Sequence, residues 1–187
     1  MIKRDSSSER DKGEEEALIQ STMSKWIPAR ELIITGIDDK RCWVWTHPPG
    51  CTSTVVAELR NATSLDIIAK MDVKNLLKNT SFGAYLVFKL KEGSKGLERA
   101  KASVRYVADK VDGVDDQGAT VFLVNKKEAN EFGQVPQPLK YGWKEIKLGD
   151  FTNDDGDEGA VKMRLFETNK HNPKSGLIVK GVEIRPI

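Results

Sequence analysis

The chain has few of the residues that build disulfide scaffolds, zinc sites and many catalytic centres, with two cysteines and two histidines among 187 residues. Cys42 and Cys51 fall far short of a disulfide framework and lack the four-ligand spacing of a structural zinc site. No apolar run approaches the roughly 20 residues that a membrane-spanning helix needs. The first residues also lack the apolar segment of a secretory signal. We therefore expect a cytoplasmic protein in a reducing compartment, with no membrane span.

A strong charge of one sign is also missing. Lysine and arginine number 30 against 28 for aspartate and glutamate, which gives a net charge of +2. Such a balance creates no broad field that would draw the protein onto phosphate backbones, so nucleic acid is not an expected partner. The length allows one domain with a hydrophobic core plus a tail, and is too short for two ordinary domains.

Side chains suited to catalysis are sparse. His47 and His171 lie in polar segments near prolines, which is typical of solvated surface histidines. The acidic run formed by Asp154, Asp155, Asp157 and Glu158 could suggest a pair of glycosidase carboxylates. Adjacent carboxylates on one polar loop stay hydrated and ionised, whereas a general acid needs surroundings that raise its pKa. No phosphate-binding glycine loop is present, which removes the common nucleotide-binding functions, and we expect no cofactor.

Alternation of apolar and polar residues is the dominant pattern. In AVKMRLFE (160–167), Val161, Met163 and Leu165 share one face of a strand, and Lys162 and Arg164 share the other. Eight further segments have strand character: 31–37, 41–45, 64–70, 82–90, 101–107, 120–124, 142–151 and 174–186. Loops rich in Gly, Asp and Pro separate them. Nine short strands without a long amphipathic helix predict an all-β fold, an antiparallel β-sandwich.

The first 23 residues differ from the rest. They are polar and charged, with a serine triplet at 6–8 and a glutamate triplet at 14–16. Too little apolar surface is available there to offset the entropy lost on ordering. We predict a flexible, disordered N-terminal extension over 1–23, with at most a brief helix from Glu14 to Ile19, and a single domain over 24–187.

The aromatic pair in RCWVW (41–45) is a candidate binding feature. Trp43 and Trp45 are two residues apart and share a face if the segment is a strand. If Cys42 and Val44 face the core, both indoles lie on the surface, where their flat apolar faces match the C–H face of a pyranose ring. The opposite orientation makes both tryptophans core residues. The two other tryptophans in the sequence, Trp26 and Trp143, are interpreted as core residues.

Several segments together resemble one family. They are WIPARELIITGI (26–37), CWVW (42–45), VAELRNATSLDIIAKM (56–71), YLVFKL (85–90), GWKEIKLGDF (142–151) and KSGLIVKGVEIRP (174–186). In this order and spacing they resemble the plant lectins typified by the tobacco leaf lectin Nictaba and by phloem protein two. The resemblance implies a jelly-roll-like sandwich that binds N-acetylglucosamine oligomers (chitooligosaccharides) and N-glycan cores, without catalysis or metal. It also implies a role as a phloem or stress and defence lectin.

The resemblance is incomplete at individual positions. The binding tryptophan of the family corresponds to Trp43, with Cys42 in place of a tyrosine. A second functional tryptophan corresponds to Gly36, an acidic position to Ala160, and a third aromatic to Pro173. The basic stretch that resembles a nuclear localisation signal in the tobacco protein is reduced to Lys126 and Lys127. Nuclear entry is therefore less expected than the cytoplasm or phloem sap.

The resulting hypothesis is a shallow sugar-binding groove. Trp43 would stack on one sugar ring and Trp45 would cover an adjacent ring or its acetamido methyl group. Hydrogen bonds to the hydroxyl and acetamide groups would come from four further residues: Glu158, Asn172, Lys174 and Ser175. Single sites of this kind are weak, so a homodimer or a longer ligand would strengthen binding to glycoproteins. The alternative is a non-enzymatic phloem interaction protein with a decayed sugar site, which binds filament proteins or RNA.

Overall fold

The computed structural model describes residues 11–15, 23–109, 117–124 and 132–187. Within these ranges the strands are β1 (Lys25–Pro28), β2 (Ile33–Ile34), β3 (Trp43–Thr46), β4 (Val56–Leu59), β5 (Leu65–Asp72), β6 (Thr80–Lys95), β7 (Arg99–Tyr106), β8 (Ala119–Phe122), β9 (Gln137–Pro138), β10 (Lys144–Asn153), β11 (Ala160–Glu167) and β12 (Ser175–Pro186). Single helical or tight turns occupy Ala29–Glu31, Val73–Asn75 and Lys140–Gly142.

The strands form two antiparallel sheets. The larger has seven strands in the order β3-β4-β12-β6-β10-β9, with β1 pairing beside β12. The smaller has five strands in the order β2-β5-β11-β7-β8. Strand β6 is the longest, and it pairs with β12 on one side and β10 on the other. The expected antiparallel β-sandwich is thus confirmed.

The core lies between the two sheets, because each strand turns one set of alternate residues inward. On β11 the inward residues are Val161, Met163 and Leu165, all fully buried, as the sequence predicts. On β12 the equivalents are Leu177, Val179, Val182 and Ile184. Two register shifts on β12 interrupt the strict alternation, between Ser175 and Leu177 and between Val179 and Gly181. Burial of these inner faces is the main contribution to the stability of the fold.

The strand predicted over 31–37 is much shorter than expected. Only Ile33–Ile34 pairs with β5. Gly36 has a φ of +81°, a left-handed conformation that glycine adopts without steric penalty, and the chain turns there. The Ile37 N–H donates to the Ile34 carbonyl at 3.2 Å, which closes that turn.

The described part of the N-terminal region is small. Residues 11–15 are helical and exposed. Residues 14 and 15 of the short helix expected from Glu14 to Ile19 are therefore helical, and the remainder lies outside the described residues. The serine triplet at 6–8 and the lysines at 126 and 127 also lie outside them.

Candidate functional site

Trp43 does not lie where the preferred orientation of RCWVW places it. It is 1% exposed and belongs to the main core, opposite Leu59 of β4. Val44 lies on the outer face, opposite Glu58, and Cys42 precedes the strand. The expectation of an exposed Trp43 is therefore wrong, because the large indole fills the space between the sheets. Its Nε1 has no hydrogen-bond partner among the described residues, so packing alone holds the ring.

Trp45 shares this inner face but lies further along the edge strand β3, where it is 36% exposed. The guanidinium of Arg30 lies 4.9 Å from the centroid of its ring. Cation–π contacts of this kind at exposed sites contribute about 0.5–1 kcal/mol. Trp45 is accessible, but it has no exposed Trp43 beside it. The predicted pair of stacking indoles is therefore not formed.

Lys174 is fully buried, and its ammonium group makes all its hydrogen bonds within the protein. Its Nζ donates to the carbonyls of Thr63 at 2.7 Å, Asn172 at 2.7 Å and Asn169 at 3.3 Å. It also pairs with the Glu167 carboxylate at 2.5 Å. An ammonium group has three protons, and these four acceptors use them all. The predicted role of Lys174 as a sugar donor is therefore wrong, since no donor is left for a ligand.

Asn172 belongs to the same internal network. Its amide nitrogen donates to the carbonyl of Gly96 at 3.1 Å and to the carboxylate of Glu167 at 2.9 Å. Burial by itself would raise the pKa of Glu167, but the hydrogen bonds from Lys174, Asn169 and Asn172 hold it below its usual value. Glu167 is thus an ionised anchor for the loop between β11 and β12. Neither amide proton of Asn172 is available to a sugar.

The two remaining predicted residues lie apart. Glu158 is exposed on the loop that precedes β11, whereas the Asn172–Lys174 loop follows β11. A strand of eight residues separates the two loops by about 25 Å. Ser175 is half-buried at the start of β12, paired with Lys95. The structure does not bring the six predicted residues into one site.

A concave site does exist on the outer face of the seven-stranded sheet. It is a pocket of about 260 Å³, which we call the Trp143 pocket. Its lining comes from strands β3, β4, β6 and β12, the loop after β3 and the residue before β10: Thr46, His47, Pro48, Pro49, Val56, Glu58, Lys89, Lys91, Trp143 and Ile178.

The floor of this pocket is apolar. Trp143 is 7% exposed and packs with Val56, Val87 and Ile178 in a small cluster separate from the main core. Ile146 and Leu148 of β10 face the core, so alternation places Trp143 on the opposite face. The ammonium of Lys89 lies 4.5 Å from the centroid of the indole. Trp143 is thus buried, as predicted, but on the outer face and not between the sheets.

Charged groups surround this floor. Glu58 is largely buried, and its carboxylate pairs with Lys91 at 2.8 Å and with Arg60 at 3.5 Å. Lys89 and Lys91 come from β6 and add two ammonium groups on the same side. A carboxylate that accepts hydrogen bonds and ammonium groups that donate them therefore meet above an apolar surface. This combination is suited to ligands that carry hydroxyl groups on an apolar ring.

The loop after β3 forms one wall of the pocket. The Nδ1 of His47 lies 2.9 Å from the carbonyl oxygen of Thr54, which ties the two ends of the loop together. Pro48 and Pro49 have fixed φ angles, so this wall is rigid. Hydrogen bonds with the hydroxyls of Thr54 and Ser53 lower the pKa of Cys51 in the same loop to about 7.

Trp26 is also placed differently from its prediction. It is 44% exposed, whereas Ile27 beside it is buried in the core. Its ring lies over Gly181 of β12, where a methyl group on the glycine would come within 2.6 Å of the indole. Since neighbouring residues of a strand face opposite sides, a core position for Ile27 predicts that Trp26 faces outward. In the same way, a core position for Ile146 predicts that Trp143 faces outward. Residue type alone misplaces these two tryptophans, because tryptophan is highly buried on average although seldom completely.

Other kinds of site find little support in the described ranges. They contain no group of three or more His, Cys, Asp or Glu side chains arranged to hold a metal ion. No helix in them is long and apolar enough to cross a membrane.

Comparison with solved structures gives distant likenesses. The CBM22-1 xylan-binding domain of Xyn10C from Paenibacillus barcinonensis is 13% identical and has a TM-score of 0.36, with 87% of this chain and 85% of that chain covered. The CBM22-1–GH10 modules of endo-1,4-beta-D-xylanase 10B from Clostridium thermocellum, complexed with xylohexaose, are 14% identical and have a TM-score of 0.40. Here 86% of this chain and 27% of that chain are covered.

Comparison of sequences gives closer relatives. F-box protein PP2-B10 of Arabidopsis thaliana is 31% identical over 166 residues, which cover 86% of this chain and 59% of that protein. F-box protein VBF of the same plant is 28% identical over 182 residues, which cover 86% of this chain and 64% of that protein. The chain thus spans about three fifths of the length of these curated relatives. The family model of Phloem protein 2 matches residues 22–186, which include every strand from β1 to β12. The chain belongs to the Phloem protein 2 family.

Proposed function

We propose that this protein is a carbohydrate-binding protein without catalytic activity, and that its ligands are N-acetylglucosamine oligomers and N-glycan cores. Membership of the Phloem protein 2 family supports the class of function. The observation that carries the proposal is the Trp143 pocket, an apolar floor with charged hydrogen-bonding groups around it. The buried Trp43 is not part of this proposed site.

The residues of the pocket suit a single sugar unit. The edge of the indole, Val56 and Ile178 would contact the C–H face of the ring or the acetamido methyl group. Glu58 would accept hydrogen bonds from hydroxyl groups, and Lys91 would donate to ring substituents. The flexible side chain of Lys89 would move aside from the indole as the sugar enters. A water-exposed site of this kind should bind in the micromolar to millimolar range, or roughly 4 to 8 kcal/mol.

Calorimetric titration with chitotriose tests this proposal. The unaltered chain should show saturable binding. Trp143→Ala should weaken it at least tenfold, and Glu58→Gln should weaken it with less effect on folding because the side-chain shape is retained. Trp45→Ala is the matched control, since it removes an exposed indole that lies outside the pocket. Binding that survives both pocket variants and disappears in Trp45→Ala would contradict the site, and no heat of binding to any N-acetylglucosamine oligomer would contradict the function.

A second candidate is a non-enzymatic interaction protein, which binds a filament protein or RNA in place of a sugar. Two observations favour it: the donors of Lys174 and Asn172 are used internally, and several relatives are named F-box proteins. The domain would then bind this partner through the outer face of a sheet, since the inner faces form the core. Cosedimentation with purified phloem filaments, together with a flat chitotriose titration, would favour this candidate. Saturable sugar binding that depends on Glu58 would favour the lectin.

A further inference from the structure

The segment that leads into Trp143 has an unusual backbone. Tyr141 has φ +60° and ψ +29°, and Gly142 has φ +77°. The Trp143 N–H donates to the Lys140 carbonyl at 3.3 Å, and the Leu139 N–H donates to the Trp143 carbonyl at 2.7 Å. Two successive left-handed residues, closed by the bond from Trp143 to Lys140, form a type I′ turn. Such turns favour Asn, Asp or Gly at the position that Tyr141 occupies, because a large side chain is strained there.

Packing does not compensate for this strain. Tyr141 is 88% exposed, and no hydrogen bond of its side chain is among the contacts of the described residues. An aromatic ring held in a left-handed conformation without burial lowers stability compared with Asn or Gly. Strained residues of this kind concentrate at functional sites, where the conformation serves a ligand.

The turn lies beside the Trp143 pocket. Tyr141 is two residues from Trp143, and a methyl group on Gly142 would lie 3.8 Å from the Cε of Lys89. Both Trp143 and Lys89 line the pocket. The volume of about 260 Å³ is below the ~300 Å³ at which pockets for whole small-molecule ligands begin, and it suits one sugar unit. Further units of an oligosaccharide must therefore lie outside it, on the surface around its opening.

We infer that Tyr141 forms a second subsite, which binds the neighbouring sugar unit of an oligosaccharide whose first unit occupies the Trp143 pocket. This inference rests on the proposed carbohydrate-binding function. The phenol ring offers a flat apolar face to the C–H face of a pyranose, and its hydroxyl group is a polar handle for a ring substituent. The left-handed turn holds the ring out in solvent, where a ligand reaches it.

Tyr141→Asn is the decisive variant, since it suits the type I′ turn and removes the ring. We expect the melting temperature to rise, because the strain is relieved. Affinity for N-acetylglucosamine itself should stay the same, whereas affinity for chitotriose should fall about 3- to 10-fold, the range expected for one aromatic contact. Tyr141→Phe is the matched control and should retain most of the chitotriose affinity. Calorimetric titration and thermal unfolding give both quantities.

Distinct results would overturn the inference. Equal loss of affinity for the monosaccharide and the trisaccharide would show that Tyr141 only shapes the Trp143 pocket. Unchanged chitotriose binding in Tyr141→Asn would exclude Tyr141 as a subsite, and a loss in Trp26→Ala would then place the second unit at the exposed indole of Trp26. A lower melting temperature of Tyr141→Asn would show that Tyr141 stabilises the fold and that its conformation is not held for a ligand. In these three cases the carbohydrate-binding function stands, whereas no binding of any sugar by the unaltered chain would overturn function and subsite together.

Discussion

Lys174 is expected to hold the fold together rather than to bind a ligand, and Lys174→Met tests this directly. The substitution keeps the aliphatic part of the side chain and removes the ammonium group. It leaves three carbonyls without this donor and Glu167 without its cation. Removing one partner of a buried ion pair costs about 3–5 kcal/mol. Because the Glu167 side chain is 19% exposed and water relieves part of that cost, we expect about 3 kcal/mol, at the lower end.

The expected loss is large enough for thermal unfolding to measure. For a chain of this size, 1 kcal/mol shifts the melting temperature by about 2–4 °C, so Lys174→Met should lower it by roughly 6–12 °C. Lys170→Met is the matched control, since Lys170 is an exposed lysine of the same loop and its removal should change the free energy of unfolding by less than about 0.5 kcal/mol. Adding Glu167→Gln to Lys174→Met should cost less than the sum of the single changes. A melting temperature within about 2 °C of the unaltered chain, combined with loss of sugar binding, would refute the structural role and restore the sugar contact predicted from the sequence.

Two further predictions follow from groups with shifted pKa values. The pKa of Glu167 is lowered in the folded state, so its contribution to stability is present above its ordinary value of about 4.5 and is lost as the pH falls through the lower folded value. Urea unfolding between pH 3 and pH 7 should therefore show a shallower acid decline in Glu167→Gln, and an unchanged decline would contradict the assignment. For Cys51, alkylation by iodoacetamide, followed by mass spectrometry, should be half-maximal near pH 7 and should move to higher pH in Thr54→Val, because the Thr54 hydroxyl is the largest cause of the lowered pKa. A midpoint above pH 8 in the unaltered chain would show that these hydroxyls do not stabilise the thiolate.

The sandwich could be predicted from the sequence because its longest strands alternate cleanly. On β11, Val161, Met163 and Leu165 lie inside and Arg164 outside, as period two requires. Strand β4 was missed because all four of its residues are buried, two towards the core and two on the outer face, where Val56 and Glu58 belong to the Trp143 pocket. A segment buried on both faces shows no alternation.

The candidate site was less predictable than the fold. The orientation of the aromatic pair depended on whether Cys42 or Trp43 fills the core, and the space between the sheets decides that question in favour of the larger residue. The polarity of Lys174 alone predicts a donor for a ligand, since a sequence does not show that three carbonyls from two loops converge on one ammonium group. The alternation around Trp143 predicts that its side chain faces outward. It does not predict which other strands lie beside it and form the pocket.

The central position of β6 has a consequence for how the chain folds. Ala84 pairs with Gly149 on one side and with Ile184 on the other, so both neighbours of this strand come from segments that the ribosome makes much later. Contacts between residues so distant along the chain form slowly, because a long loop must close before either ladder contributes any stability. During synthesis β6 therefore emerges with both edges unpaired, a state prone to association with other strands. Only when β12 leaves the ribosome can the seven-stranded sheet assemble.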